Sequence, residues 1–298
     1  MTPSVSVVVA TYRREDALKN ALLSLAAQDT ADFEVVLVDD NGCEEWNERV
    51  RKIVDGVMTE YPSLSLNYIV NSPNQGSAKT RNIGIAAAKG EYVTFLDDDD
   101  VYLPAKVSRQ LKFMREGGYD YSVTDLDLYD ENDRLTQRRV RSDITDTTPE
   151  GLLRYHLMHH ITGTDTMMFK KEYLEKIGGF APIDVGDEFY LMHRAISGGG
   201  RFGHLPGSDI KAYVHTGEGG LSSGEQKIKG EMALYEYKKE YISSLDGRSR
   251  RYIKMRHYAV LAFATLRVKR VFATLGYCFM SFISAPIQCV KLFFGRKL

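Results

Sequence analysis

Apolar and polar positions follow two rhythms along the first half of the chain. Residues 4–11 form a nearly unbroken apolar run with Val5, Val7, Val8 and Val9, which predicts a buried strand. Leu18, Ala21, Leu22 and Leu25 then recur at the spacing of an amphipathic helix. The alternation repeats. A strand over 33–38 ends in the turn residues Asp39-Asp40-Asn41-Gly42, and a helix follows over 46–58. A strand over 66–70 leads to an alanine-rich helix over 77–88, with Gly90 as its stop. A strand over 92–96 and a helix over 104–116 complete this half. Strands alternating with helices predict an α/β fold with a mostly parallel sheet flanked by helices.

The second half is less regular. It predicts a strand over 119–129, a polar surface excursion over 130–148 and a helix over 150–159. A short strand over 166–169 and a helix over 187–196 follow, the helix ending at Gly198-Gly199-Gly200. Next come a strand over 210–215, a small-residue loop over 216–224 and a charged helix over 225–243. Residues 271–290 carry no charge and are bracketed by Arg267, Lys269 and Arg270 before, and Lys291, Arg296 and Lys297 after. That length could just span a bilayer. Gly276, Ser281, Ser284, Pro286 and Gln288 make it a poor spanning helix. Basic flanks with Phe272, Tyr277, Phe279, Phe282, Phe293 and Phe294 suit a helix lying in the interface of an anionic membrane. Packing on the body, or on a second copy in a homodimer, is the competing reading.

Composition sharpens this picture. Hydrophobic residues at 43% and charged residues at 27% fit a soluble globular body. The net charge of -1 hides an asymmetry, because residues 246–298 sum to +10 and the remainder to -11. An acidic body with a basic tail predicts a tail that meets an anionic surface and argues against nucleic acid as a partner. Cys43, Cys278 and Cys289 show no paired spacing, which argues against a disulfide framework or zinc site and for a reducing compartment. No signal peptide is legible, since the apolar run at 5–10 is short and lacks a basic segment before it. The expected location is therefore cytoplasmic, peripheral at the inner face of the membrane.

Four segments carry candidate chemistry. Asp97-Asp98-Asp99-Asp100 follows the buried strand 92–96, so the acids fall at the strand edge where open α/β sheets bind ligands. Crowded carboxylates there suit a hard cation, Mg²⁺ or Mn²⁺, whose natural partner is a diphosphate. Strand one ends in Thr11-Tyr12-Arg13-Arg14 and strand two in Asp39-Asp40. Asn74-Gln75-Gly76-Ser77 opens a helix, a natural anion site, with Lys79 and Arg81 adding positive charge.

In this order the segments resemble the family 2 glycosyltransferases, inverting enzymes with the Rossmann-like GT-A fold. The resemblance rests on Val5 to Arg14, on Asp39-Asp40, and on Asn74, Gly76, Arg81-Asn82, Gly84, Gly90-Glu91-Tyr92 and Leu96 to Asp100. It covers roughly residues 4–224. It implies that Thr11, Tyr12, Arg13 and Asp39 hold the nucleotide, helped by Asn74, Lys79 and Arg81. Asp97 and Asp99 match the Asp-x-Asp element, with Asp98 between them. Asp99 is the expected direct metal ligand, and Asp100 supports it. Thr162-Gly163-Thr164 with Lys170-Lys171 and Gly178-Gly179-Phe180 resembles the acceptor side. Gly186-Asp187-Glu188-Phe189-Tyr190-Leu191 resembles the catalytic-base motif, with acidic identities reversed from the usual Glu-Asp. Aligning on Leu191 makes Glu188 the base, and Asp187 stays open as the alternative. His215 resembles a histidine that contacts the metal or the diphosphate.

The implied chain is a GT-A domain over 1–245, with a nucleotide-sugar half (1–130) and an acceptor half (131–245), and a helical, basic and apolar extension over 246–298. The implied reaction moves a hexose from a nucleotide-sugar, a UDP-sugar by family expectation, to a hydroxyl of a glycan or lipid-linked acceptor in cell-surface polysaccharide synthesis. A sugar nucleotidyltransferase would use the same edge, but no Gly-rich basic loop follows strand one. A non-catalytic binding protein would not need both acidic sites. The lack of G-x-G-x-x-G after strand one argues against a dinucleotide-dependent oxidoreductase. His156, His159 and His160 read as a solvated or partner-facing patch, and Arg201 and His204 carry no matching context.

Overall fold

The computed structural model describes residues 2–183, 186–214 and 224–294. The elements open with β1 (Val5–Thr11), α1 (Asp16–Ala26), β2 (Phe33–Asp39), α2 (Glu44–Glu60), β3 (Leu66–Val70) and α3 (Ser77–Ala87). They continue with β4 (Tyr92–Asp97), β5 (Val101–Tyr102), α4 (Lys106–Gly117), β6 (Tyr121–Thr124), β7 (Leu126–Tyr129) and β8 (Leu135–Arg139). After α5 (Pro149–His159) come a 3-10 turn (Thr164–Thr166), β9 (Met167–Lys170), α6 (Lys171–Lys176) and α7 (Asp187–Ser197). The last are β10 (Phe202–Leu205), β11 (Ile210–Tyr213), α8 (Gly224–Ile242), α9 (Gly247–Arg267), α10 (Val271–Ser284) and α11 (Pro286–Phe294).

The chain divides into two compact units, residues 1–147 with 162–214, and residues 148–161 with 215–298. In the first, a seven-stranded sheet runs β10-β6-β9-β4-β1-β2-β3. β1 to β4 are parallel where they pair, and β9 runs antiparallel to both β4 and β6. This is the expected mixed, mostly parallel α/β sheet. β4 sits at its centre with β1 beside it, and the valines of β1 are continuous because helices cover both faces. Val5, Val7 and Val9 pack in one core with Leu18, Ala21, Leu22 and Leu25 of α1. Val8 faces the other way, against Gly84 of α3, where an added Cβ would collide with it.

Ser6 and Glu34 are polar, yet both are buried in the sheet. Ser6 Oγ donates to Glu34 Oε1 at 2.7 Å, the Lys89 amide donates to the same oxygen at 2.6 Å, and the Gly90 amide donates to Ser6 Oγ at 2.9 Å. This network lays the entry of β4 against β1. Gly90 is therefore less a helix stop than a close approach. α3 ends at Ala87, and a Cβ on Gly90 would lie 2.6 Å from the Ser6 backbone nitrogen. The register then sets Thr11 opposite Asp39, and Ala10 opposite Asp97. Three strand ends thus meet at one edge.

Other expectations change. The strand expected over 119–129 is two strands in two sheets, since β7 belongs to a second sheet ordered β5-β11-β7-β8. The break falls at Asp125, whose carboxylate accepts the amides of Arg141 (2.9 Å) and Gly207 (2.8 Å) and contacts His204 Nε2 (2.8 Å). A carboxylate with these partners holds the chain out of the ladder. The polar excursion contains β8, exposed throughout, with Arg138 forked onto Asp127 by two bonds of 2.7 Å. The two-residue β5, four-residue β10 and six-residue α6 are too short to show a period.

The second unit comprises α5 and α8 to α11. The helical grouping does not begin at residue 246, because α5 and α8 belong with the later helices. Thr148 caps α5 by accepting the Gly151 amide at 3.2 Å, and Asp246 caps α9 by accepting those of Arg248 and Ser249 at 2.8 and 3.0 Å. His156 is fully buried and accepts the Ile161 amide on Nδ1 at 3.0 Å, while His160 Nε2 meets Lys238 Nζ at 2.6 Å. His156 is interior rather than solvated, while His159 and His160 are half-buried, because α5 is a packed helix of this unit. The uncharged run 271–290 breaks at Ala285, whose extended backbone precedes Pro286 at the start of α11. Among the described residues, no helix is long and apolar enough to cross a membrane.

Candidate active site

Each strand end carries polar groups because its backbone leaves the ladder there. At the end of β1, Thr11 Oγ1 donates to Asp98 Oδ2 at 2.7 Å and the Tyr12 amide donates to the same oxygen at 3.2 Å. Arg13 has a left-handed backbone (φ 53°), and its amide donates to Asn41 Oδ1 at 2.8 Å. At the end of β2, Asp39 is fully buried and accepts from the Asn41 amide, from Asn41 Nδ2 and from the Tyr68 hydroxyl at 2.6–2.9 Å. Asp40 shapes the loop before α3. Its carboxylate accepts Asn71 Nδ2 and the amides of Gln75 and Gly76 at 2.7–2.9 Å, and its carbonyl accepts Asn74 Nδ2 at 2.6 Å. Asn74 is thus tied to this turn. Lys79 is exposed and makes no ion pair with the described acids.

Arg81 joins segments far apart in sequence. Its Nη2 lies 2.7 Å from Asp97 Oδ1 and its Nη1 lies 2.6 Å from Asp187 Oδ2, with its side chain 13% exposed. The fork of the guanidinium matches two carboxylates at once. Phe180 lies beneath it, ring centroid 5.5 Å from Cζ. The end of β4 and the start of α7 therefore form one site. Glu188 sits beside Asp187 in the first turn of α7, where its amide donates to Asp187 Oδ1 at 2.9 Å. Burial, and then the Asp187 charge, push the Glu188 carboxyl up to about 7.

The acid run divides its labour. Asp97, Asp100 and Asp165 each present a carboxylate oxygen within 4.8 Å of the others. Asp165 lies in the 3-10 turn and its Oδ1 accepts the Asp97 amide at 2.8 Å, while Asp100 Oδ1 accepts the Tyr213 amide at 2.8 Å. Burial and the neighbouring Asp97 charge raise Asp165 to about 7, and burial with Asp165 raises Asp100. Three hard oxygen donors this close fit a divalent cation, which would offset both their repulsion and the burial that holds protons on Asp100 and Asp165. Asp99, the expected direct ligand, instead pairs with Arg14 Nη2 at 2.9 Å, so the convergent acids are a different set. Its expected partner His215 lies outside the described residues. Asp98 is raised to about 7 by burial and then by Asp99. Asp40 and Arg14 lie in the candidate segments but carry no assigned role in the sequence reading, and Asp165, a single Asp in a Thr-rich turn, gives no signal there.

The chain belongs to glycosyl transferase family 2, whose family model matches residues 6–178. Among its relatives, the succinoglycan biosynthesis protein ExoO of Rhizobium meliloti is 27% identical over 229 residues, covering 74% of this chain and 63% of that protein. Matches to the first curated relatives span from 18% to 63% of their own length. The fold is that of S. aureus TarS 1-349 in complex with UDP-GlcNAc, with a TM-score of 0.62 and 21% identity, covering 96% of this chain and 82% of that one. The mannosyltransferase PcManGT of Pyrobaculum calidifontis, in complex with GDP-Man and Mn²⁺, gives a TM-score of 0.57 and 17% identity, covering 100% of this chain and 89% of that one. These likenesses confirm the GT-A type of α/β fold.

Proposed function

We propose that the protein is a metal-dependent, inverting glycosyltransferase that moves a hexose from a nucleotide-sugar to an acceptor hydroxyl. The observation that carries this reading is the Arg81 fork, which sets Asp97 of the acid run and Asp187 beside Glu188 on one guanidinium. One site thereby holds donor-side acids and a base. Family membership supports the reaction class, and the nucleotide-sugar complexes of TarS and PcManGT support the donor class. The likeness to ExoO supports a polysaccharide or lipid-linked glycan acceptor.

Glu188 takes the proton of the attacking hydroxyl. Asp187 is the poorer base because Arg81 already occupies one of its oxygens and the Glu188 amide the other. A carboxyl held near 7 is matched to proton transfer at neutral pH. Attack opposite the leaving diphosphate inverts the anomeric carbon. Asp97, Asp100 and Asp165 would hold a divalent cation, Mn²⁺ or Mg²⁺, and when bound it supplies charge neutralisation at the diphosphate. Thr11 to Arg13 and the buried Asp39 turn form the nucleotide side, kept rigid by the bonds that occupy Asp39.

The test is turnover of the purified chain against UDP- and GDP-sugars with Mn²⁺, with Mg²⁺ and with chelator, the product anomer being read by NMR. Nucleoside diphosphate release that needs the cation and yields an inverted linkage supports the reading. Nucleoside monophosphate or pyrophosphate release would instead identify a nucleotidyltransferase. A retained linkage would remove Glu188 from its role.

A further inference from the structure

α10 and α11 are anchored on one side only. Thr274 Oγ1 meets Thr265 Oγ1 of α9 at 3.0 Å, Ser281 Oγ donates to the Met255 carbonyl at 2.9 Å, and Ala285 and Cys289 pack with Met255. The opposite side carries Phe272, Leu275, Phe279, Phe282, Ile283 and Ile287, each between 48% and 92% exposed. Steps of three and four residues keep Phe272, Leu275, Phe279, Phe282 and Ile283 on one stripe of α10, and α11 adds exposed Ile287 beyond the break at Ala285. A run of large apolar side chains this continuous marks an interaction surface.

We propose that this stripe lies in the headgroup region of a bilayer that contains anionic lipid, without crossing it. Charge selects the occupant. No charged residue lies between Val271 and Val290, while exposed Arg267, Lys269 and Arg270 stand at one end and exposed Lys291 at the other. Arg270 also pairs with Glu225 at 2.8 Å, so the others carry more of the attraction. A second copy fits less well. Two-fold pairing of the stripe sets one basic rim against another, whichever way the helices run. An anionic surface meets both rims favourably and takes the aromatic side chains between them. The break also keeps each helix short. α10, with 14 residues, is about 21 Å long, less than the hydrocarbon core it would have to span.

The experiment is flotation of the full chain with vesicles of phosphatidylcholine alone and of phosphatidylcholine with phosphatidylglycerol, at low and high salt. The expected result is binding to the anionic vesicles, weakened by salt. Phe272→Ser with Phe279→Ser and Phe282→Ser should lower the partition coefficient about tenfold or more. Lys269→Glu with Lys291→Glu should abolish the preference for anionic lipid, and decides the matter alone if the triple variant misfolds. The proposal is overturned by absence of binding, by binding that neither variant changes, or by an oligomer that dissociates in the triple variant, which would assign the stripe to a second copy. Because partition is read rather than turnover, either result leaves the transferase reading untouched.

Discussion

Arg81, Asp187 and Glu188 show how few atoms decide the chemistry. Glu188→Gln keeps the shape but cannot accept a proton, so the transfer rate should fall about 10²- to 10⁴-fold with donor affinity nearly unchanged. In the parent protein kcat/KM should rise with pH through about 7, since the base must be ionised and burial beside Asp187 holds its proton to that value. The residual rate of Glu188→Gln should lack that limb. Asp187→Asn should stay measurably active, because Asp187 acts through Arg81. If Asp187→Asn is dead and Glu188→Gln turns over normally, the two roles are exchanged. Removing the guanidinium is a different injury. Arg81→Met leaves Asp97 and Asp187 without their shared countercharge, and denaturant unfolding should show a loss of about 3 kcal/mol. A midpoint equal to the parent's would mean the fork is only an adornment of the site.

At the scale of elements, the parallel half was legible and the mixed half was not. Residues 5–9 and 92–96 read as buried strands, and the acids after the second inherit a place at the ligand edge. The split between β6 and β7 was hidden because the residue that breaks the strand, Asp125, is satisfied by Arg141, His204 and Gly207, all distant in sequence. The same holds for Asp165, which joins Asp97 and Asp100 only through tertiary contact, so local pattern carries no trace of it. The reversed Asp187-Glu188 order is legible, but it takes the Arg81 bond and the Glu188 amide, both on Asp187, to distinguish their surroundings. Glycines separate in the same manner. Gly90 faces the backbone of β1, which cannot give way, so Gly90→Ala should cost about 1–3 kcal/mol. Gly56 of α2 faces open space, so Gly56→Ala should add up to about 1 kcal/mol. Urea midpoints moving the same way in both would refute the close-approach account of β4.

At the scale of the molecule, the buried acids of the first unit and the buried bases of the second should answer pH in opposite directions. Lys106 of the first unit, lowered to about 7 by burial, opposes its acids only above that pH. In the first, Asp98, Asp165 and Glu188 are raised to about 7 by burial and neighbouring acids, from ordinary values of 3.8, 3.8 and 4.5. Between those limits the native unit binds more protons than the unfolded chain, so its stability falls as pH rises from about 4 to above 7. In the second, burial and then Arg256 lower Lys238 to about 7 from 10.5. There the unfolded chain binds more protons between the two values, so stability rises with pH from about 7 to 10.5. His160, lowered by burial and by Arg256, adds a loss as pH falls through about 6.5. Hydrogen exchange, corrected for its intrinsic pH dependence, reads the units separately. Peptides from β1 and β4 should lose protection between pH 5 and 7.5, and those from α8 and α9 should gain it between pH 7 and 9. Mn²⁺ should then reverse the first trend alone, since a cation among Asp97, Asp100 and Asp165 favours their ionised forms. If protection in both units rises and falls together, or if Mn²⁺ shifts the helical unit equally, the buried charges do not govern stability as placed here.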